Sequence, residues 1–271
     1  MSALSAGTVH TDDTAAGTGT DPGPEVPPAM RICVINPNTA AAMTDVIAAA
    51  ARSVARPDCE IVAVTSTMGP ESIESHYDEA LAVPGLLRAI NDHPGCDGYL
   101  IACFGDPGLD AAREIADAPV LGIAEAAMHL AAPLGRRFSI VTTLDRTIGR
   151  AIDLVDHYGF AGHCGGVHAC DIPVLELETN PATADILEKS CAAALSTDDS
   201  DAIVLGCAGM ADLAHRIGAA IGAPVIDGVA AGVGMLTAMA AIGVHTGTAS
   251  GEFRRPPRKR YSGPLRDFEI T

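Results

Sequence analysis

The sequence predicts an α/β protein of two pseudo-symmetric halves, each a small parallel sheet covered by helices, with a cleft between them. Three observations lead there. First, residues 100–114, reading LIACFGDPGLDAARE, begin as an apolar strand, turn at Cys103 and continue as an amphipathic helix, and IVLGCAGMADLAHR at 203–216 repeats the unit with Cys207 at the matching place. An aspartate stands six residues before each cysteine, Asp97 and Asp201, and each unit runs on to Ala-Pro-Val, at 118–120 and 223–225. Second, strand-like apolar runs alternate with helical patterns along the chain, as parallel β-α units require. Third, 48% of the residues are hydrophobic but only 3% are aromatic and Trp is absent, so the core is built of small aliphatic side chains that suit helices packed on a parallel sheet.

The elements follow in order. RICVIN, from Arg31, is a strand, and Pro37-Asn38-Thr39 leads into an Ala-rich helix to about Val54. Asn36 therefore stands at the carboxyl end of the first strand, where open α/β sheets bind ligands, and it is both a candidate substrate contact and a candidate turn or N-cap residue. A strand at 60–65, a long loop broken by Gly69-Pro70 and a helix at 77–91 come next; the loop is long enough to wall a cleft, with His76 and Tyr77 as ligand contacts or solvent-exposed side chains. Strand 98–102, the Cys103 turn, a helix to 116 and strand 120–123 complete the first half. FSIVTT, after Arg137, echoes RICVIN and puts Thr142 and Thr143 in the places of Asn36 and Pro37. A helix at 147–158, the segment GHCGGVHACDIPVLELE, a helix at 181–195, strand 203–205, a helix at 210–221 and a short strand at 225–227 close the set. The expected division is 30–133 with 225–246 as the first half and 134–224 as the second, because the last helix matches the one after Glu125 and should pack back across.

The ends differ in composition from the body. Residues 1–29 are rich in Thr, Gly, Asp, Ala and Pro, have no basic stretch followed by an apolar run, and read as a disordered leader. Residues 247–271 form a basic arm with Arg254, Arg255, Arg258, Lys259, Arg260 and Arg266, expected to lie on its own body or on a neighbouring subunit. The formal net charge of −17 opposes nucleic acid and anionic lipid as partners, and the longest uncharged apolar stretch, 228–244, is shorter than the roughly 20 residues a membrane span needs. Eight cysteines without a disulfide-framework spacing fit a reducing cytoplasm.

Chemistry concentrates at the two repeated cysteines. A cysteine between a strand end and a helix start has its sulfur beside unpaired backbone N–H groups and a positive helix end, which predicts a partly ionised thiol and an oxyanion site. One cysteine alone reads as a buried small hydrophobe; equivalent placement in two repeats favours a pair that removes and returns a proton on opposite faces of one carbon. That chemistry needs no cofactor. The other clusters carry less: His163, Cys164, His168 and Cys170 match no metal-ligand spacing, CxxC and the nucleotide-binding glycine patterns are absent, and GCAGM lacks an assignable base for a cysteine hydrolase. No metal is expected. Cys33, Cys59, Cys96 and Cys191 read as structural.

RICVINPNT, IACFGDPGLDAARE, GIAEAA and VLGCAGMADLA together resemble the aspartate/glutamate/hydantoin racemase superfamily, in particular its hydantoin and allantoin racemase branch, over residues 30–244. The resemblance implies Cys103 and Cys207 as the acid/base pair, with ligand contacts from Asn36, from Phe104, Gly105, Ala208 and Gly209 after the cysteines, and from the Thr142-Thr143 turn. A small-molecule substrate and a homo-oligomer are expected. Amino-acid racemases of the group follow their cysteines with Asn-Thr and Thr; here Phe104-Gly105 and Ala208-Gly209 fit a less charged ring. The function expected is inversion of C5 in 5-substituted hydantoins, allantoin among them. The alternatives are an amino-acid racemase of the same fold, a single-cysteine decarboxylase or isomerase, and a non-catalytic small-molecule binder.

Overall fold

A computed structural model describes residues 30–249 and 251–269; the expected leader lies outside the described residues. The first four strands, β1 (Met30–Asn36), β2 (Cys59–Thr65), β3 (Gly98–Ile101) and β4 (Val120–Gly122), form a parallel sheet in the order β2-β1-β3-β4. Helices α1 (Ala41–Val54), α2 (His76–Asp92), α3 (Leu109–Ile115) and α4 (Ile123–Ala131) alternate with them. The second sheet repeats that order as β6-β5-β7-β8, from β5 (Phe138–Thr142), β6 (Cys164–Ala169), β7 (Ala202–Leu205) and β8 (Val225–Ile226). Its helices are α5 (Ile148–His157), α6 (Thr183–Asp198), α7 (Ala214–Ile221) and α8 (Gly228–Ala241).

The repeated aspartates explain why the two sheets start alike. Asp97 donates its N–H to the Arg31 carbonyl and accepts the Arg31 N–H on its carboxylate; Asp201 does the same with Arg137, and also takes the Arg136 N–H. Period-two alternation then sorts each strand into two faces. Ile32, Val34 and Leu100 of one sheet and Phe138, Ile140 and Val204 of the other face a shared central core with α1, α4, α5 and α8. Cys33, Ile35 and Ile101 face an outer cluster under α2 and α3, and Val141, Ile203 and Leu205 face another with α6 and Ile217 of α7.

The central helices cross over. α8 packs on β3 and α1 of the first half, while α4 reaches β7 of the second. Close approach needs glycine at the crossing: a Cβ on Gly232 would lie 2.3 Å from Leu100, and one on Gly98 would lie 3.0 Å from Leu236. The crossover begins at Asp227, whose carboxylate caps α8 by accepting the Val229 and Ala230 N–H groups. Strand 225–226 therefore stays with the second sheet, paired to β7, which corrects the placing of 225–246 as a block with the first half. A second difference follows Cys207: the expected helix at 210–221 begins as 3-10 turns over Ala208–Leu213, and α7 starts only at Ala214.

The arm lies along α2 and α3 of its own chain. Arg113 stacks on Phe253, Arg88 stacks on Phe268 and pairs with Asp267 at 3.3 Å, and Arg255 pairs with Asp117. Among the described residues no helix is long and apolar enough to cross a membrane.

Candidate active site

Because the sheets are parallel, the carboxyl ends of the central strands of both halves open onto one cleft. A cavity of about 180 Å³ lies there, lined by Cys103, Phe104 and Gly105 from the first half and by Thr142, Thr143, Cys207 and Ala208 from the second. That is below the ~300–1,000 Å³ of drug-sized pockets, so the cavity suits one small ring with a modest substituent. All eight cysteines are free thiols, and these two are the ones that reach the cavity.

The Cys103 turn is polar. The Asp106 N–H closes it onto the Cys103 carbonyl at 3.0 Å, and Asp106 adopts a left-handed φ of 44°, uncommon for a residue other than glycine. Its buried carboxylate accepts the Ala124 and Glu125 N–H groups at 3.1 and 2.9 Å and the Tyr158 hydroxyl at 2.7 Å. Arg150 donates twice to the Gly105 carbonyl, at 3.2 and 2.6 Å, and pairs with Glu79 at 3.3 Å. Helix α3 starts only after Gly108, at φ 67°, so its dipole is not seated directly on the sulfur.

The Cys207 turn is held by apolar packing. The Met210 N–H reaches the Cys207 carbonyl at 3.2 Å, Met210 and Ala211 are buried, and a Cβ on Gly209 would meet Leu177 and Met43. Gly209 does not line the cavity, yet its N–H is the backbone donor to the Cys207 sulfur, as Gly105 is for Cys103.

Ionisation departs from the expectation of partly ionised thiols. Burial pushes the Cys207 thiol up to about 12 and the Cys103 thiol further still, against the one backbone N–H each receives. Cys103 is also raised by the nearby Cys207, Glu79 and Asp106. Desolvation outweighs the turn amides at both sulfurs. Burial likewise raises the Asp106 carboxyl to about 7 despite its three donors.

Asn36 is not brought to the cavity. It is fully buried below the turn, donating to Asn38 Oδ1, to the Ala40 carbonyl and to Thr44 while its own oxygen takes the Asn38 N–H. Asn38 reaches the cavity instead, along with Met43. His76 lines the rim, whereas Tyr77 is 73% exposed and does not. Sequence reading missed Glu79, Arg146, Thr147 and Arg150 as cavity residues; the two arginines and Thr147 come from around the start of α5, and their only sequence signal is proximity to the Thr142-Thr143 strand end. The cluster at 163–170 is divided among separate partners. His168 bonds Asp198 at 2.7 Å, the Cys164 thiol bonds the Gly166 carbonyl, and the Cys170 thiol bonds the Thr143 carbonyl.

Known proteins share this fold. The family model described as Asp/Glu/Hydantoin racemase matches residues 32–236. A hydantoin racemase from Pseudomonas sp. (strain NS671) is 45% identical over 242 residues, covering 88% of this chain and 97% of the relative. The structure of an allantoin racemase from Klebsiella pneumoniae is 50% identical with a TM-score of 0.86, covering 89% of this chain and all of that one. That of an allantoin racemase from Pseudomonas fluorescens is 35% identical with a TM-score of 0.83, covering 86% of this chain and all of that one. With the family model matched over residues 32–236 and a relative 45% identical over 88% of the chain, the chain belongs to the Asp/Glu/hydantoin racemase family.

Proposed function

We propose that the chain racemises 5-substituted hydantoins, allantoin among them, by moving the C5 proton between Cys103 and Cys207. The observation that carries this reading is the pair of free thiols presented to one small cavity from equivalent strand ends of the two halves. The names of the similar racemases support the substrate class. One sulfur, as thiolate, takes the C5 proton; the other, as thiol, returns a proton to the opposite face, and the roles reverse for the other enantiomer. A buried thiolate is scarce but strongly basic, which suits a carbon acid whose enolate is delocalised into the ring carbonyl. Thr142, Thr143 and Asn38 offer hydrogen bonds to the ring's amide groups, and Phe104 and Ala208 supply apolar wall. Asn36 acts through Asn38, which it holds, and Gly209 through its N–H on the Cys207 sulfur.

Two measurements test this. Enantiopure allantoin and aliphatic and aromatic hydantoins should lose optical rotation, while L-aspartate and L-glutamate keep theirs; the reverse pattern would establish the amino-acid reading. In heavy water, Cys103→Ser and Cys207→Ser should each lose racemisation by about a thousandfold and exchange the C5 hydrogen of opposite enantiomers above background. If both exchanged the same enantiomer, or one kept full activity, a single-cysteine mechanism would replace the pair.

A further inference from the structure

We propose that α5 of the second half is a positioning clamp for the first cysteine: Tyr158 through Asp106, together with Arg150 at Gly105, holds the Cys103 turn at its working depth opposite Cys207. The inference rests on the two-cysteine reading. Within its own half, the turn is closed by a single backbone bond from Asp106 N–H to the Cys103 carbonyl, with Asp106 in a strained left-handed conformation. Such a conformation persists only when its surroundings hold it. The Asp106 carboxylate is held from one side by the first two free amides it meets on α4, Ala124 and Glu125, and from the other by the Tyr158 hydroxyl. Glu125 is itself fixed by Arg113 at 2.6 Å.

Tyr158 and Arg150 belong to the opposite half and stand eight residues apart, about 12 Å along a helix axis at 1.5 Å per residue. Two anchors that far apart resist both sliding and tilting of the turn against α5. The Cys207 turn has nothing equivalent: among the described residues, the side-chain hydrogen bond to 206–213 comes from Thr142 of the same half. Its place is set by apolar packing. The distance between the two sulfurs is therefore governed on one side by a hydrogen-bonded contact across the cleft. Neither Tyr158 nor Asp106 lines the cavity, so both are positioning residues.

The experiment compares Tyr158→Phe in two single-cysteine enzymes by C5 exchange in heavy water. In the Cys207→Ser enzyme, which keeps Cys103, exchange should slow roughly tenfold, since misplacement by about 1 Å can cost up to a hundredfold. In the Cys103→Ser enzyme, which keeps Cys207, it should change less than about twofold. Asp106→Asn is the second variant and should show the same one-sided loss. Equal slowing in both backgrounds, or none in either, would overturn the clamp, since a purely structural role touches both cysteines. Exchange of one and the same enantiomer by both single-cysteine enzymes would instead overturn the two-base reading. The clamp would then stand or fall on whether Tyr158→Phe slows only the enzyme that keeps Cys103.

Discussion

The Cys103 and Cys207 turns occupy equivalent places in equivalent sheets and are made of different matter. Around Cys103 the neighbours are Asp106, Glu79, Arg150 and Tyr158, tied by charge-assisted hydrogen bonds. Around Cys207 they are Ala208, Met210, Leu177 and Met43. A repeat places two sulfurs symmetrically because the strand-turn geometry is local, but each sulfur's environment is supplied by whatever the other layers bring to it. The difference lies behind the sulfurs: a hydrogen-bonded network supports the Cys103 turn and apolar packing supports the Cys207 turn.

Thiol labelling gives the largest contrast. Since both thiols lie above the usual range, the thiolate fraction below the pKa rises with pH, and alkylation should speed up about tenfold per pH unit between pH 7 and 9. Cys207 should react before Cys103, whose thiol burial raises further, while nearby carboxyls oppose ionisation at both, Glu79 and Asp106 at Cys103 and Glu74 at Cys207. Substrate should protect both. Mass-spectrometric peptide mapping after timed iodoacetamide treatment reads the order, and identical rates with no pH dependence would erase the electrostatic half of the comparison.

Adding one methyl group to each turn sharpens it. A Cβ on Gly105 would lie 2.5 Å from the Glu79 carboxylate, so Gly105→Ala must displace the Glu79–Arg150 pair that braces the turn. On Gly209 the nearest atoms are Leu177 Cδ1 at 3.0 Å and Met43 Cε at 3.4 Å, the ends of flexible side chains. Racemisation should fall roughly tenfold or more in Gly105→Ala and by no more than about threefold in Gly209→Ala, with steady-state kinetics as the readout. The opposite ranking would mean that the Cys207 turn is the rigid one.

The smallest effect is on stability. Asp106 has a folded pKa raised to about 7 from 3.8, so between those values the folded chain retains a proton that the unfolded chain has released. Its contribution therefore declines as pH rises from about 4 to about 7 and is level above that. Asp106→Asn lacks this slope and loses acceptor capacity toward Ala124, Glu125 and Tyr158, costing about 1 kcal/mol or more at low pH. Urea unfolding at pH 5, 6, 7 and 8 should show the advantage of Asp106 over Asn narrowing upward; a gap that widens with pH would place the folded carboxyl below its unfolded value.

Much of the fold was legible because its signals are local. Apolar runs marked the strands to within a residue or two except β6 (Cys164–Ala169), whose Gly-rich, polar sequence hid it, and the repeated Asp97 and Asp201 turned out to be the residues that tie each sheet's start. Helix starts were less legible. Both cysteines were expected to open helices, but Gly108 delays α3 and 3-10 turns delay α7, choices set by packing rather than by periodicity. Asn36 sat at the right strand end, yet its amide is absorbed by Asn38, Ala40 and Thr44, and a strand's last residue cannot show from sequence which way its side chain is bonded.

By itself the sequence determined the two-half α/β architecture, the equivalence of Cys103 and Cys207 and the family, because repetition and hydrophobic period are written in neighbouring residues. Tertiary structure alone decided that α4 reaches β7 of the second half, that Arg150 and Tyr158 reach across to the Cys103 turn, and that burial raises both thiols. The reason is physical: desolvation and contacts across the cleft depend on what lies within a few ångströms in space, and α5 lies more than forty residues from the turn it grips.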